Sequence, residues 1–210
     1  MSSPKIAEST VRRLSLYLRF LEEFERQGIA TVSSAALAER GGTTSAQVRK
    51  DLSFFGSFGK RGLGYAAPEL ATKLRDILGL DRTYRVAVVG AGKMGSAFLR
   101  YRGFAQRGFL IETVYDADPE VIGTRWEGLE VLDVRKMEED LTRNPVDIAI
   151  VVTPAAAAQD VTDRLSRAGV RAILNFAPVR LATPAGVIVR NVNLALELEA
   201  LSYALRNWLD

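Results

Sequence analysis

The sequence contains no cysteine and no histidine. Without cysteine there are no disulfide bonds, thiol redox sensors or thiolate metal sites, so any response to redox state has to pass through a bound ligand. Without histidine the chain lacks the commonest metal ligand and the commonest acid–base catalyst. Carboxylate-only metal sites stay open, but no spacing typical of one is present, and we expect no metal.

Long hydrophobic runs are also missing, and none approaches the roughly 18 residues of a membrane-spanning helix. The N-terminal segment MSSPKIAEST has no apolar core of the kind found in secretory signals. We therefore expect a cytoplasmic protein. Its 210 residues fit one large domain or two small ones, and a hydrophobic content of 48% is enough for a packed core.

Positive charge is concentrated in the first part of the sequence. Residues 1–82 carry 13 basic side chains against 9 acidic ones, whereas residues 83–210 carry 15 against 16. Between positions 40 and 61 the single acid is Asp51, and the basic residues are Arg40, Arg49, Lys50, Lys60 and Arg61. Such a cluster is typical of a surface that meets phosphate, although chance clustering on a solvated surface is the alternative.

Helical periodicity predicts two helices before residue 42. An apolar stripe indicates a first helix that ends near Gly28. The residues of this stripe are Val11, Leu14, Tyr17, Leu18, Leu21 and Phe24. Ser33 or Ser34 can cap a short second helix, which stops at the glycines 41–42.

A third helix runs into a glycine-rich segment, with the sequence QVRKDLSFFGSFGKRGLGY over residues 47–65. Thr43 or Thr44 can cap this helix. Its predicted inward residues are Val48, Leu52 and Phe55, and its predicted outward residues are Ser45, Gln47, Arg49 and Lys50. Dense glycines among aromatic and basic residues predict a β-hairpin carrying Lys60 and Arg61. Three helices and a hairpin make a winged helix, a fold suited to DNA binding. A fourth helix starting at Pro68 and ending at Gly79 completes a predicted domain over residues 1–82.

Alternating strands and helices follow, which predicts a parallel α/β sheet over residues 83–192. The predicted strands are 85–89, 110–115, 147–152, 171–174 and 187–189, and the predicted helices are 93–105 and 156–168. The last segment, 193–210, is predicted to be a helix with an apolar stripe of Leu194, Leu198, Leu201, Leu205 and Trp208. That stripe has to be buried on its own subunit or on a partner, and the sequence does not choose between them.

The most specific pattern in the second domain is a dinucleotide-binding fingerprint. It reads Gly90, Ala91, Gly92, Lys93, Met94, Gly95, follows a predicted strand and opens a helix. Gly90 permits a tight turn, Gly92 lets the backbone approach a pyrophosphate, and Gly95 allows close helix–strand packing. We therefore predict a Rossmann-like nucleotide site.

Other parts of that site follow from the strand ends. Asp116 closes the next strand and should bind the ribose hydroxyls, which favours NAD(H) over NADP(H), with Asp118 as a lesser candidate. Nucleotides bind at the carboxyl edge of such sheets. Two further strand-end segments are therefore candidate walls for the nicotinamide, namely Thr153 and Pro154, and Asn175, Phe176, Ala177 and Pro178.

A dehydrogenase would need a proton-transfer group, and no tyrosine has a lysine four residues later. The predicted α/β domain, residues 83–192, is also not accompanied by a separate substrate domain. We therefore expect a nucleotide-sensing DNA-binding protein rather than an enzyme. A small NAD(H)-dependent oxidoreductase with an interaction domain is the alternative, and a repressor that senses another ligand, such as a coenzyme A derivative, is a third interpretation.

The segment of residues 47–65, the fingerprint GAGKMG, the segment NFAP and the C-terminal leucine helix together resemble the Rex family of bacterial redox-sensing transcriptional repressors. The resemblance covers nearly the whole chain. It implies a homodimer that binds an inverted-repeat operator, with DNA affinity lowered by NADH and with NAD+ competing for the same pocket. It also implies that the C-terminal helix is exchanged between subunits.

The resemblance assigns roles to particular residues. Gln47, Arg49 and Lys50 would enter the major groove, and Lys60 and Arg61 on the wing would meet the minor groove or its phosphates. Tyr101 would lie near the nicotinamide.

One position departs from the family pattern. Many members have an acid at the position of Asn193, able to exchange between the arginine matching Arg19 and the tyrosine matching Tyr101. Asparagine carries no charge for an ion pair, so we expect this polar switch to be weakened or replaced. A further hypothesis is that Phe98, Tyr101 and Phe109 form an apolar surrounding that disfavours the charged ring of NAD+.

Overall fold

The computed structural model describes residues 6–59 and 63–208. Its internal contacts divide the chain into two compact units, residues 1–82 and residues 83–210. Within the described ranges, no helix combines the length and the apolar character needed to cross a membrane.

The N-terminal unit is mainly helical. Its elements are α1 (Glu8–Arg26), β1 (Thr31–Val32), α2 (Ser34–Arg40), α3 (Ser45–Ser53), β2 (Tyr65–Ala66) and α4 (Ala67–Ile77). Of the candidate caps, Ser33 and Thr44 form the hydrogen bonds. Ser33 Oγ accepts from the Ala36 amide at 3.0 Å, and Thr44 Oγ1 accepts from the Gln47 amide at 3.1 Å. Each cap satisfies a helix N–H group that has no partner within the helix, and this fixes where α2 and α3 begin.

A single hydrophobic core holds these helices together. The predicted stripe of α1 is buried apart from Val11, which is 42% exposed, and Leu14 and Leu21 are fully buried. Val48 and Leu52 of α3 and Leu70 and Leu74 of α4 belong to the same core. The inward face of α3 is therefore fixed by packing, which leaves its opposite face to project from the domain.

The middle of the predicted hairpin, residues 60–62, lies outside the described residues of the glycine-rich segment. The described end of this segment forms β2, which pairs antiparallel with β1, a strand that was not predicted. Gly59 has φ +72, and a Cβ atom there would collide with the carbonyl oxygen of Gly64, so the two glycines allow a close approach of the backbone. Lys60 and Arg61, the predicted wing contacts, lie outside the described residues.

The second unit is built on a seven-stranded sheet within the described ranges. Its strands are β3 (Tyr84–Val89), β4 (Phe109–Asp116), β5 (Arg125–Trp126), β6 (Leu129–Asp133), β7 (Ile148–Val151), β8 (Ala172–Asn175) and β9 (Ile188–Asn191). Their order is β5-β6-β4-β3-β7-β8-β9. All neighbouring pairs are parallel except β5 and β6. The predicted α/β class with a parallel sheet is confirmed.

The helices of this unit differ from the prediction in two places. They are α5 (Lys93–Arg100), α6 (Gly103–Gln106), α7 (Met137–Arg143), α8 (Ala155–Arg167) and α9 (Leu194–Trp208). The single helix predicted over residues 93–105 is wrong, because Tyr101 has extended backbone angles, φ −78 and ψ 95, and separates α5 from α6. Strands β5 and β6 and helix α7 fall in residues 117–146, for which no element was predicted.

Helix α9 exposes the apolar stripe that was predicted for it. Leu194, Leu198, Leu201 and Leu205 are between 58% and 67% exposed. At its start the Asn193 side chain accepts a hydrogen bond from the Ala195 amide at 3.0 Å, the arrangement of a helix N-cap. The stripe is therefore not buried by the chain's own fold.

Candidate nucleotide site and nucleic-acid surface

The glycines of the fingerprint have distinct structural roles. Gly90 has φ +108, and a Cβ atom there would lie 2.7 Å from the carbonyl oxygen of Val152 on the neighbouring strand end. A Cβ atom on Gly95 would collide with the Gly90 carbonyl oxygen. These two glycines are therefore required by the packing of the turn itself.

Gly92 is the exception. It precedes α5 with φ −73 and ψ −167, angles open to any residue, and a Cβ atom there would meet nothing within 4 Å. The fold does not require a glycine at this position. A group that approaches the backbone at the N-terminus of α5 does require one, and that end of a helix favours negative charge.

Asp116 joins the end of β4 to the fingerprint turn. Its Oδ2 accepts a hydrogen bond from the Ala91 amide at 2.5 Å, and its Oδ1 accepts one from the Asp118 amide at 2.9 Å. Both bonds orient the carboxylate at the carboxyl edge of the sheet. Each oxygen has a further lone pair, so the group can still accept from a ligand hydroxyl.

A cavity of about 590 Å³ lies over this edge, within the usual size range of small-molecule sites. Seven of the predicted ligand residues line it, namely Gly90, Ala91, Gly92, Asp116, the lesser candidate Asp118, Thr153 and Pro154. The Oγ1 atom of Thr153 is buried without a hydrogen-bond partner in the described structure. An unpaired buried hydroxyl beside a cavity is a ready partner for a polar ligand atom. The remaining predicted residues do not line this cavity; they are Lys93, Met94, Gly95, Tyr101, Asn175, Phe176, Ala177 and Pro178.

Two cations of the cavity wall were missed by the sequence reasoning. Arg135 forms an ion pair with Asp133 at 2.5 Å, and Arg164 forms one with Asp160 at 2.9 Å. Hydrogen bonds from Arg135 lower the pKa of Asp133 to about 2. A prediction of β6 would have revealed Arg135, because residues that follow parallel strands meet at one sheet edge.

Asn175 organises the loop after β8 instead of projecting freely. Its fully buried Nδ2 donates to the carbonyl oxygens of Ala177 and Val179 at 3.1 and 3.2 Å and to Oδ1 of Asn191 at 2.9 Å. Its own Oδ1 accepts from the Ala177 amide at 2.9 Å. The side chain therefore holds the loop in shape and links β8 to β9.

That loop carries Phe176 into an aromatic cluster formed by Phe98, Tyr101, Phe104 and Phe176. The ring centres of Phe98 and Phe176 are 4.8 Å apart, and Tyr101 meets Phe104 edge-on at 5.0 Å. Tyr101 is 60% exposed at the break between α5 and α6. Phe109 is not one of these four rings: it begins β4 and stacks on Tyr84 at 5.5 Å, at the end of the strand opposite Asp116.

In the N-terminal unit, α3 presents the predicted polar surface. Arg49 and Lys50 are exposed, whereas Ser45 and Gln47 are half-buried. Arg49 Nη1 donates to Ser34 Oγ at 3.0 Å, a contact between α3 and the start of α2. Two adjacent cations on the exposed face of a capped helix form a surface that can meet DNA phosphates.

The three residues of the predicted polar switch lie on different structural elements. Arg19 is an exposed residue of α1 in the first unit. Tyr101 and Asn193 belong to the second unit, where Asn193 is the cap of α9. Capping alone accounts for an asparagine or an aspartate at this position.

Comparisons with known proteins identify the family. The family model described as "Putative DNA-binding protein N-terminus" matches residues 5–53, and the model described as "CoA binding domain" matches residues 81–179. The redox-sensing transcriptional repressor Rex of Carboxydothermus hydrogenoformans is 52% identical over 206 residues, which cover 98% of this chain and 99% of that protein. The chain belongs to the Rex family. This confirms the predicted family, and it confirms the prediction of a repressor over the alternative of an oxidoreductase.

Solved structures of Rex-family proteins have the same fold. A crystal structure of RSP in complex with NAD+ and operator DNA matches with a TM-score of 0.91 at 41% identity, covering 95% of this chain and 92% of that one. RSP in complex with NADH matches with a TM-score of 0.87 at 39% identity, covering 96% and 94%. The Rex-family fold therefore extends through both units of the chain, and relatives with that fold bind the predicted classes of ligand.

Proposed function

We propose that this Rex-family protein represses transcription by binding operator DNA through α3 and that it releases the operator when NADH occupies the cavity at the Gly90–Gly95 turn. The observation that carries the proposal is Gly92. Gly90 and Gly95 in the same turn are glycines because the fold needs them. Gly92, in contrast, faces open space beside the helix N-terminus and Asp116. Such a position suits a pyrophosphate.

The cavity accounts for the adenosine half of the ligand. Asp116 would accept from the ribose hydroxyls and would repel a 2′-phosphate, so the site prefers NAD(H) to NADP(H). Thr153 and Pro154 supply the opposite wall. Gly90, Ala91, Lys93, Met94 and Gly95 form the turn that positions the phosphate-binding amides.

The aromatic cluster is the proposed nicotinamide end of the site. Tyr101 and Phe176 belong to it, and the loop of Asn175, Ala177 and Pro178 holds Phe176 in place. An aromatic, poorly hydrated surface disfavours a positively charged ring, so it favours NADH over NAD+. The two forms of the ligand therefore differ in how strongly they stabilise the arrangement that releases DNA.

The DNA-binding half of the proposal rests on Ser45, Gln47, Arg49 and Lys50 of α3 in the major groove, with Lys60 and Arg61 of the wing on the minor groove or phosphates. We infer a cytoplasmic location, because the proposed operator is part of chromosomal DNA. Recognition helices of a dimer must match two half-sites at a fixed spacing, so a change in dimer geometry weakens binding. The exposed stripe of α9 is the proposed dimer contact, exchanged between two subunits.

A titration tests this function. An operator sequence is first selected by the protein from a pool of random duplexes and is then labelled with a fluorophore. The fluorescence anisotropy of this DNA is followed as the NADH/NAD+ ratio rises at constant total dinucleotide. The proposal predicts release of DNA as NADH replaces NAD+. DNA binding that ignores the ratio would refute it. The "CoA binding domain" match makes coenzyme A the relevant competitor, and release of DNA by coenzyme A in place of NADH would assign the cavity to that ligand.

A further inference from the structure

The order of the strands gives the cavity at the carboxyl edge of the sheet a direction. Strands β6, β4, β3 and β7 are neighbours in this order, and residues at the end of each line the cavity. The turn Gly90–Gly92 follows β3, Asp116 ends β4, and Arg135 comes two residues after β6. From the proposed pyrophosphate position at Gly92, the ribose position at Asp116 is one strand away and Arg135 is two strands away. The base attached to that ribose therefore extends toward Arg135.

The side chain of Arg135 is held in place by Asp133, the last residue of β6. Asp133 Oδ1 accepts a hydrogen bond from the Arg135 amide at 2.9 Å, and the two carboxylate oxygens accept from Nε at 2.9 Å and from Nη2 at 2.5 Å. Asp133 is also the register partner of Asp116 on the neighbouring strand. The guanidinium is consequently anchored beside the acid that is proposed to bind the ribose.

The faces of this guanidinium remain accessible. The bonds to Asp133 run from its edge and use two of its five N–H groups. The side chain of Arg135 is 80% exposed, so protein atoms leave the flat faces largely uncovered. A planar cation of this kind stacks readily on an aromatic ring.

The rest of this end of the cavity suits an uncharged ring better than another phosphate. Val121 and Val134 are half-buried, line the cavity and pack against the two hydrophobic clusters of the unit, which fixes them as apolar walls. The charged residues of the described cavity wall are three acids and two cations, namely Asp116, Asp118, Asp160, Arg135 and Arg164. Because acids are in excess, a further phosphate would meet more repulsion than attraction.

We propose that Arg135 is a specificity-determining residue of the nucleotide site and covers the adenine ring with the face of its guanidinium. The inference rests on the proposed function, since it takes the pyrophosphate to lie at Gly92 and the ribose at Asp116. Arg135 then contacts the half of the ligand that is the same in NADH and NAD+. It sets how tightly the site holds an adenine dinucleotide, and it leaves the preference between the two redox forms to the aromatic cluster.

Calorimetric titrations with four ligands test this inference. Affinities for NADH, NAD+, NADPH and ADP-ribose are measured for the wild-type chain, for Arg135→Ala and for Arg135→Lys. The matched control is Arg143→Ala, which removes an exposed arginine of α7 that pairs with Glu139 outside the cavity wall. Circular dichroism shows that each variant is folded.

The expected result is that Arg135→Ala binds NADH, NAD+ and ADP-ribose about 3- to 10-fold more weakly, the effect of one cation–π contact at a partly exposed site. The factor is the same for the three ligands, and the ratio of NADH to NADPH affinity does not change. Arg135→Lys recovers only part of the loss, because lysine supplies the charge without the plane. Arg143→Ala binds all four ligands like the wild type.

Two results would make Arg135 a phosphate contact and overturn the inference: full recovery in Arg135→Lys, or a larger loss for NADPH than for NADH in Arg135→Ala. A wild type that binds NADH and ADP-ribose, beside an Arg135→Ala variant that binds both equally well, would overturn the inference and leave the proposed function standing. A wild type that binds neither ligand would refute the proposed function, and this inference with it.

Discussion

Replacing Gly92 with alanine separates ligand binding from folding in the second unit. The new methyl group meets no protein atom within 4 Å, so it occupies only the space that the pyrophosphate is proposed to approach. Gly92 also has backbone angles that alanine adopts freely. We therefore expect a variant that folds normally and binds NADH poorly.

The magnitudes follow from the local geometry. Alanine lowers the entropy of the unfolded chain, which stabilises by about 0.4–1 kcal/mol, but it is a poorer N-cap than glycine, and the two effects offset each other to within about 1 kcal/mol. Loss of one charge-assisted hydrogen bond to phosphate costs about 1.5–3 kcal/mol. Since about 1.4 kcal/mol is a factor of ten, NADH affinity should fall by roughly 10- to 150-fold.

Isothermal titration calorimetry gives the NADH affinity, and urea denaturation gives the free energy of unfolding. The matched control is Gly95→Ala, which adds the same methyl group at a crowded position, where its Cβ collides with the Gly90 carbonyl oxygen. That variant should lose about 1–3 kcal/mol of stability, the usual cost of overpacking. The reasoning is refuted if Gly92→Ala binds NADH as tightly as the wild type, or if it unfolds as easily as Gly95→Ala.

Three further predictions concern DNA binding, pH and the switch. Lys50→Ala should weaken binding to all duplexes and reduce the slope of log K against log salt by about 1, and an unchanged slope would remove Lys50 from the phosphate contacts. Burial opposes ionisation of Asp51, but the hydrogen bonds from Arg13, Gln47 and Tyr17 outweigh it and lower the pKa of the carboxyl. Because the pKa of Asp51 is lowered, its contribution to the stability of the fold is complete above about pH 4 and is lost on acidification. Burial raises the pKa of Tyr17 to about 12, so its contribution is complete below about pH 10 and is lost as the pH rises toward 12. Thermal unfolding followed by circular dichroism should show both losses. The alkaline loss should be smaller in Tyr17→Phe, although not absent, because burial also raises the pKa values of Tyr65 and Tyr115. An identical alkaline profile in that variant would contradict the assignment. Asn193→Asp keeps the cap of α9 and adds the missing charge, so NADH should weaken DNA binding by a larger factor, measured by anisotropy, and an unchanged factor would exclude a charge-based switch at this position.

Much of the fold follows from the sequence because local signals and packing agree. The stripe of α1, the caps Ser33 and Thr44 and the glycines of the fingerprint each have a local physical cause that is visible in the sequence. The break at Tyr101 has none, since a change in one residue's backbone angles leaves no periodic trace. The pairing of β1 with β2 joins distant segments of two residues each, too short for any pattern to predict.

The site was predictable where it is made of backbone, and less so where side chains compete for partners. The turn at Gly92 and the acid Asp116 were found from spacing alone. Asn175 and Gln47 were expected to face ligands, and the structure gives each of them a partner within the protein as well: Nδ2 of Asn175 bonds to its own loop, and Nε2 of Gln47 bonds to Asp51. Such commitments depend on which donor lies nearest a buried acceptor, and only the folded arrangement reveals that.

The central claim is that NADH and operator DNA each weaken the binding of the other to this protein. The affinity for NADH, measured with and without saturating operator, tests this claim most directly. Thermodynamic linkage requires DNA to weaken NADH binding by the same factor by which NADH weakens DNA binding, and allosteric proteins typically show about 1–3 kcal/mol of such coupling. The account predicts that operator DNA lowers NADH affinity by about 5- to 150-fold, whereas a duplex of scrambled sequence at the same concentration has a much smaller effect. Equal NADH affinities in the presence and absence of operator would contradict it.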